Sequence, residues 1–274
     1  MLALIDLDPL PYAYGGITYD DGTVLSDSML RKMVDDKITE IVEHSGSEDW
    51  IGYLSDSDSN FRNNLATILP YKGNRSGNAK PAKHQMLRDY LMDAYPEKVE
   101  MIYGMEADDA LSIKQMERWK EISYCLDNDL IFPSVDEFSD ITIICTIDKD
   151  LDMVPGWHYC WSKGQSPEKE PWFQTEIGGL RFFYKQLLTG DMTDNIRGLY
   201  GVGKKSALLT KLDDMDTEEE MFLHVHEEYK KRFGNYADQF MLENGQLLWM
   251  LQDKDEMWEL PTITREEEND ELHF

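Results

Sequence analysis

The sequence predicts an α/β fold in which a central, mostly parallel sheet is flanked by helices and followed by a small helical region. Three observations support this prediction. Short apolar segments alternate with helix-like segments in the first part of the chain, the apolar segments contain many β-branched residues, and an acidic residue follows each of them. Buried-type strands that alternate with helices are typical of parallel sheets, which bind ligands at the carboxyl ends of their strands.

Four apolar segments are predicted to be the strands of this sheet. The segments and the acids that follow them are 2–5 with Asp6, 50–54 with Asp56, 99–102 with Glu106, and 141–147 with Asp148. Helix-like segments at 28–44, 83–94 and 107–120 lie between the strands. Because parallel strands end at the same edge of a sheet, we expect the four acids to lie close together.

The predicted domain organisation has three parts. Residues 1–178 form the α/β core, and residues 179–252 form a helical region with helix-like segments at 180–188, 204–212, 217–232 and 236–251. Residues 253–274 form a tail with nine acids and two basic residues, which is expected to be solvated.

The charge of the chain is strongly negative but unevenly distributed. A net charge of −27 argues at first against nucleic acid as a partner, because phosphate contacts normally come from lysine and arginine. Although 54 of the 274 residues are acids, two windows contain none. Their basic residues are Arg62, Lys72, Arg75, Lys80, Lys83 and Arg88 in window 59–88, and Arg197, Lys204, Lys205 and Lys211 in window 195–212. The two windows indicate surfaces that bind a polyanion.

Cysteine usage and hydropathy narrow the class of protein further. The three cysteines, Cys125, Cys145 and Cys160, are far apart, which argues against a zinc ribbon or a disulfide scaffold and predicts a reducing, cytoplasmic location. No apolar run is long enough to span a bilayer, so no membrane partner is expected.

The acidic residues form clusters along the chain. Taken singly, each cluster has a structural explanation as a helix start, a turn or a polar loop. Several carboxylates at one sheet edge would repel by about 4 kcal/mol per pair at about 4 Å, which favours a bound hard cation. Oxygen ligands select Mg²⁺ or Mn²⁺, and two such ions can hydrolyse a phosphodiester. The clusters are Asp6 with Asp8, Asp56 with Asp58, Glu106 with Asp108 and Asp109, Asp148 with Asp150, and Asp191 with Asp194.

A glycine-rich segment at 198–207 is predicted to be the turn of a helix–hairpin–helix motif spanning 190–212. It comes within one residue of a phosphate-binding P-loop, but Lys205 occupies the Ser/Thr position and no strand precedes it. Gly201 and Gly203 would let backbone amides approach a phosphate, and Lys204 and Lys205 would add charge.

In their order along the chain, these motifs resemble the 5′-nuclease superfamily of flap endonucleases, and most closely the 5′→3′ exonucleases of T7-like phages. The resemblance covers residues 1 to about 210. Its motifs are Asp6, Asp56, Asn60-Phe61-Arg62, Tyr71-Lys72-Gly73-Asn74-Arg75, Glu106-Ala107-Asp108-Asp109, Thr146-Ile147-Asp148-Lys149-Asp150 and Gly190-Asp191-Met192-Thr193-Asp194-Asn195-Ile196.

The resemblance implies a site for two Mg²⁺ ions, with Mn²⁺ as a substitute. The first ion would be held by Glu106, Asp108, Asp148 and Asp150, and the second by Asp191 and Asp194. Asp6 and Asp56 would lie between the ions, and Asp109 is a further candidate ligand of the same motif. The implied catalytic residues are Lys72, Arg75, Asp148 and Asp150.

The resemblance also implies DNA with 5′ ends, flaps or duplex–single-strand junctions as the substrate, with RNA paired to DNA as a further candidate. Residues of about 59–95 would form a helical arch in which Lys72 and Arg75 steer the scissile phosphate and Tyr71 stacks on a base. Arg62, Lys80, Lys83 and Arg88 would contact the DNA backbone in the arch. The glycine turn would grip duplex DNA, with a bound K⁺. A phage protein of DNA replication or recombination in the host cytoplasm is expected.

Some positions depart from the family pattern, and two other functions stay open. No arginine closely follows Asp6, so this loop is not expected to contribute one. Asp8 is an alternative to Asp6, as Asp58 is to Asp56. The other functions are a PIN-type ribonuclease, which shares an acidic α/β core, and a catalytically inactive, structure-specific DNA-binding protein.

Overall fold

The computed structural model describes residues 1–56, 59–75, 77, 79–127, 141–161, 170–254 and 256–263. Asp58 and most of the predicted acidic tail lie outside these residues. In the described part of the chain, no helix combines the length and apolar character that crossing a membrane requires.

A six-stranded sheet forms the centre of the structure, with the strand order β3-β2-β1-β4-β5-β6. The first five strands of this order run parallel, and β6 is antiparallel to β5. The predicted mostly parallel sheet is therefore confirmed. The strands are β1 (Leu2–Asp6), β2 (Asp49–Ser55), β3 (Val99–Ile102), β4 (Thr142–Cys145), β5 (Gly156–Tyr159) and β6 (Trp172–Gln174).

Helices cover both faces of the sheet, as its buried strands require. Along β1, Leu4 belongs to one hydrophobic cluster while Ala3 and Ile5 belong to the other, because successive strand residues point to opposite faces. The helices of the first part are α1 (Pro9–Tyr14), α2 (Asp27–His44), α3 (Arg62–Leu65), α4 (His84–Ala94) and α5 (Ala107–Asp127).

The C-terminal region is helical, as predicted, and shares a hydrophobic cluster with one face of the sheet. Phe183 and Leu187 of its first helix lie in the same cluster as Leu4 and Ile144. A capping box between Thr217 and Glu220 fixes the start of the third helix. The helices are α6 (Glu176–Thr189), α7 (Ala207–Lys211), α8 (Glu218–Phe233) and α9 (Ala237–Leu248).

Two short regions next to the sheet matter for the site. A two-stranded hairpin of β7 (Gly190–Asp191) and β8 (Ile196–Arg197) precedes the glycine turn, and a 3-10 helix spans Lys149–Met153. In the predicted arch region, α4 buries Leu87 and Leu91 in the core, so this helix is not part of an arch. Without α4, the part of the predicted arch that remains is the segment between α3 and α4.

Candidate active site

The site begins at the carboxyl end of β1, where Asp6 is buried. Its Oδ2 atom accepts a hydrogen bond of 2.9 Å from the hydroxyl of Thr146, just beyond the neighbouring strand β4. The same hydroxyl accepts a bond of 2.9 Å from the amide of Asp148. Burial, with the charges of Asp8 and Asp148, raises the pKa of Asp6 well above its usual value. Asp6 and Asp148 therefore face the same space, as the positions of their strands predict.

Asp108 belongs to this group as well. It lies in the first turn of α5, which is joined to the end of β2 by a hydrogen bond of 2.8 Å from the amide of Ala107 to the hydroxyl of Ser55. Burial raises the pKa of Asp108 well above its usual value, and the charges of Asp6, Asp148 and Glu106 raise it further. Carboxylates from three separate segments thus repel one another here.

A second part of the site lies between the 3-10 helix and the β7–β8 hairpin. The Nζ atom of Lys149 lies 2.6 Å from Oδ1 of Asp150 and 2.7 Å from Oδ2 of Asp191. Burial and the charge of Asp148 raise the pKa of Asp150 to about 6. Burial alone would raise the pKa of Asp191, but the bond from Lys149 and the amide of Thr193 outweigh burial and lower it.

A third part of the site joins Glu106 to Asp194 through the segment that carries Tyr71, Lys72 and Arg75. The Tyr71 hydroxyl lies 2.7 Å from Oε2 of Glu106 and 2.8 Å from Oδ2 of Asp194. Lys72 forms an ion pair with Glu106, and Arg75 forms one with Asp194. Lys72 has a left-handed backbone with a φ of 53°, and its amide donates to the carbonyl of Asp194. The basic segment is thus docked onto the hairpin.

The donors of this site suit a hard divalent cation, since they are carboxylate oxygens, and burial raises the pKa values of Asp6, Asp108 and Asp150. Two lysine ammonium groups occupy positions beside these carboxylates where a cation would be expected. Lys149 lies between Asp150 and Asp191, and Lys72 lies beside Glu106 and Asp194. Within the described residues, no three Asp, Glu, His or Cys side chains form a ready-made metal site. The residues therefore fit metal ions in their chemistry, while a closed metal cage is not preformed.

Asp109 and Arg62 have a structural role, which corrects two predictions. Both side chains are fully buried, and the Arg62 guanidinium donates two hydrogen bonds of 2.6 and 2.8 Å to the Asp109 carboxylate. The prediction that Asp109 binds a metal is therefore wrong, because its oxygens are already occupied in the core. The predicted DNA contact of Arg62 is wrong as well, because its guanidinium is buried and already donates to Asp109.

Arg88 and Tyr71 are also buried, so neither side chain lies on the predicted DNA surface. Arg88 is buried and donates 2.7 Å to Oδ1 of Asp8, whose carboxylate also accepts from the amide of Ser55. Asp8 therefore braces α4 against the strand ends and does not take the place of Asp6. Tyr71 is only 7% exposed, so the predicted stacking on a base is wrong for the ring in this position. Asp56 follows β2 and accepts from the hydroxyl of Ser59, and it stays a predicted ligand.

The other predicted DNA-binding residues lie at the surface. Lys80, Lys204 and Lys205 are exposed, and Lys83 forms an ion pair with Asp27 at 2.8 Å. Gly201 has a φ of 81°, which favours glycine, and Gly203 is exposed. Both glycines leave room for a ligand, because an added Cβ at either position would meet no atom within 4 Å. A helix–hairpin–helix motif itself stays a prediction.

Three residues at or near the candidate site were not singled out from the sequence. Lys149 could have been noticed as a lysine between two acids of a motif. Gln186, which donates 2.6 Å to Asp150, and Tyr200, which is 88% exposed beside the glycine turn, give no pattern in the sequence.

No family model and no curated protein matches the chain. The solved structures that are similar to it include the flap endonuclease D15 of bacteriophage T5 in complex with DNA and metal ions, at 16% identity and a TM-score of 0.48 over 90% of this chain and 98% of that chain. The bacteriophage T5 5′-exonuclease with zinc has 15% identity and a TM-score of 0.45, covering 90% and 99%. Human GEN1 in complex with Holliday junction DNA has 12% identity and a TM-score of 0.40, covering 96% and 64%.

These similarities all have TM-scores below 0.5, so the resemblance to flap endonucleases and phage 5′-exonucleases stays a prediction. The chemistry of the site has to follow from its own residues.

Proposed function

We propose that this protein is a divalent-metal-dependent nuclease that cleaves DNA at or near 5′ ends and flaps. The observation that carries the proposal is the convergence of Asp6, Asp108 and Asp148, from three separate segments, in one group where burial and neighbouring charges raise the pKa values of Asp6 and Asp108. The carboxylates of such a group repel one another when no cation is bound. With divalent cations bound, the same group can promote hydrolysis of a phosphodiester. Lys72 and Arg75, basic residues of an otherwise acidic chain, form ion pairs with Glu106 and Asp194 of the same site.

The residues have distinct roles in this proposal. Glu106, Asp108, Asp148 and Asp150 would hold the first ion, Asp191 and Asp194 would hold the second, and Asp6 and Asp56 would lie between the two sets. When bound, Mg²⁺ or Mn²⁺ would supply an activated water and stabilise the leaving oxygen. Lys72 and Arg75, at the rim of the acidic group, orient the scissile phosphate.

The proposed DNA surface has two parts, neither of which reads a base sequence. The segment between α3 and α4, with Lys72, Arg75 and Lys80, guides the 5′ end or single strand. The glycine turn with Lys204 and Lys205 holds the duplex backbone, together with a K⁺ ion. The proposal extends to RNA paired to DNA and to a phage protein that acts in replication or recombination in the host cytoplasm.

The experiment compares a 5′-flap duplex with a blunt duplex, each labelled at one end, in Mg²⁺, Mn²⁺ or EDTA. We expect metal-dependent release of the flap or of 5′ nucleotides, which Asp148→Asn abolishes. The matched control is Asp213→Asn, which makes the same chemical change at an exposed ion pair with Lys185.

Other outcomes would assign a different function. Cleavage of single-stranded RNA, with all DNA intact, would indicate a PIN-type ribonuclease. Structure-specific DNA binding without cleavage in either metal would indicate a DNA-binding protein that has no catalytic activity.

A further inference from the structure

Lys149 bridges two carboxylates that are assigned to different metal ions. Its ammonium group lies 2.6 Å from Asp150, which belongs to the first set of ligands, and 2.7 Å from Asp191, which belongs to the second. The lysine side chain is 55% exposed, whereas those of Asp150 and Asp191 are 13% and 5% exposed. A half-exposed cation is thus held by two carboxylates that are almost buried.

Each of the two carboxylates accepts a further hydrogen bond from another group, so Lys149 is not the only residue that holds them in place. Gln186 donates 2.6 Å to Asp150, and the amide of Thr193 donates 2.6 Å to Asp191. The long side chain of Lys149 could leave toward solvent without breaking the backbone of the 3-10 helix. The more movable partner of this cluster is therefore the lysine.

Lys72 offers a comparison within the same site. It also joins the two ligand sets, through Glu106 and a contact of 3.7 Å to Asp194. Its side chain is only 26% exposed, however, and its amide is fixed by the carbonyl of Asp194. Of these two bridging lysines, Lys149 is the more exposed.

We propose that Lys149 is an exchangeable internal cation, which neutralises Asp150 and Asp191 in the metal-free protein and is displaced when divalent ions bind these carboxylates. Its ammonium group contacts Oδ1 of Asp150 and Oδ2 of Asp191, so it would compete with an ion for these oxygen atoms. Lys149 therefore determines the metal affinity of this pair and stabilises the protein before metal arrives. The inference rests on the proposed metal-dependent function and adds a residue that controls metal occupancy.

The test measures Mn²⁺ binding by titration calorimetry, on the full chain stripped of metal and without DNA, for the wild type and Lys149→Met. We expect the variant to bind Mn²⁺ about tenfold more tightly at one site, because a competing unit charge is removed from that site. The thermal midpoint of the metal-free variant should fall, since Asp150 and Asp191 then lose their cation. Lys149→Gln provides a second neutral variant if Lys149→Met does not fold.

Three controls separate exchange from a structural effect. Lys149→Arg keeps the charge and should bind Mn²⁺ as the wild type does. Lys185→Met removes a lysine that pairs with the exposed Asp213 and should leave the affinity unchanged. In an Asp191→Asn background, which removes one of the two carboxylates, Lys149→Met should tighten binding by less than it does in the wild type, and a double-mutant cycle measures the difference.

The two levels of the proposal fail in different ways. If the folded wild type binds no Mn²⁺, the proposed metal-dependent function is wrong. If the wild type binds Mn²⁺ but the neutral variants bind it equally or more weakly, only the exchange role of Lys149 is wrong.

Discussion

The guanidinium of Arg62 and the carboxylate of Asp109 form a bidentate ion pair in which both side chains are fully buried. Arg62 also donates to the carbonyls of Leu247 and Trp249, and Asp109 accepts from the amide of Leu251. The pair therefore ties α3 and α5 to the end of α9. In this way a residue of the acidic motif supports the site without joining it.

Because removing one partner leaves a buried charge uncompensated, Asp109→Ala should lower the free energy of unfolding by about 3–5 kcal/mol. Urea unfolding of the variant beside Asp213→Ala, which removes an exposed partner of Lys185, measures the difference. The variant should still cleave DNA at temperatures at which it is folded. Normal stability with no metal-dependent cleavage would instead make Asp109 a ligand.

The sheet and the position of the acidic group could be predicted from the sequence because both follow from local patterns. Buried parallel strands are short apolar runs, and the ends of neighbouring parallel strands necessarily meet at one edge. Strands β5 and β6 lack such a pattern, since β5 reads Gly-Trp-His-Tyr and β6 has only three residues. Their pairing depends on the sheet that is already in place.

The buried ion pairs could not be predicted, because they join residues far apart in the chain. Arg62 and Asp109 are separated by 47 positions, and Arg88 and Asp8 by 80. A sequence pattern places both arginines in an acid-free window and indicates DNA contacts. Only the packing of α3 and α4 decides that the two side chains are buried, while Lys204 and Lys205 remain exposed.

The glycine turn gives a prediction about salt dependence. If Lys204 and Lys205 each neutralise one phosphate, Lys204→Met and Lys205→Met should each reduce the slope of log K against log salt concentration by about 1. Fluorescence anisotropy with a labelled 5′-flap duplex in EDTA measures this slope. Lys32→Met, an exposed lysine of α2 that pairs with Asp36, is the control and should leave the slope unchanged. Equal slopes for all four proteins would remove the turn from the DNA surface.

The repulsion around Asp108 predicts opposite effects of one substitution on stability and activity. A carboxyl whose pKa is raised by folding reduces stability as the pH rises through its folded pKa, because the unfolded chain ionises more easily. Metal-free Asp108→Asn should therefore be more stable than the wild type at pH 8, by about 1–2 kcal/mol, with the difference shrinking toward pH 4. Its Mg²⁺-dependent cleavage should fall more than about 100-fold. Lower stability at pH 8 would contradict the repulsion.

His158 makes the stability of the fold depend on pH at a point away from the acidic group. Its ring is 1% exposed, donates from Nε2 to the carbonyl of Val154 at 2.7 Å and stacks on Trp172. Burial lowers the pKa of His158 to about 4, so the folded protein keeps this ring neutral while the unfolded chain is protonated near pH 6.5. The contribution of His158 to the free energy of unfolding is complete above about pH 6.5. It is lost as the pH falls toward 4, by about 3 kcal/mol in total.

Urea unfolding at pH 7.5 and pH 5 isolates this contribution when the wild type is compared with His158→Gln. The variant cannot bind the proton, so the wild type should lose about 2 kcal/mol more than the variant between the two pH values. The acidic group contributes to both proteins alike and cancels in the comparison. An equal loss in both would contradict the lowered pKa of His158 in the folded protein.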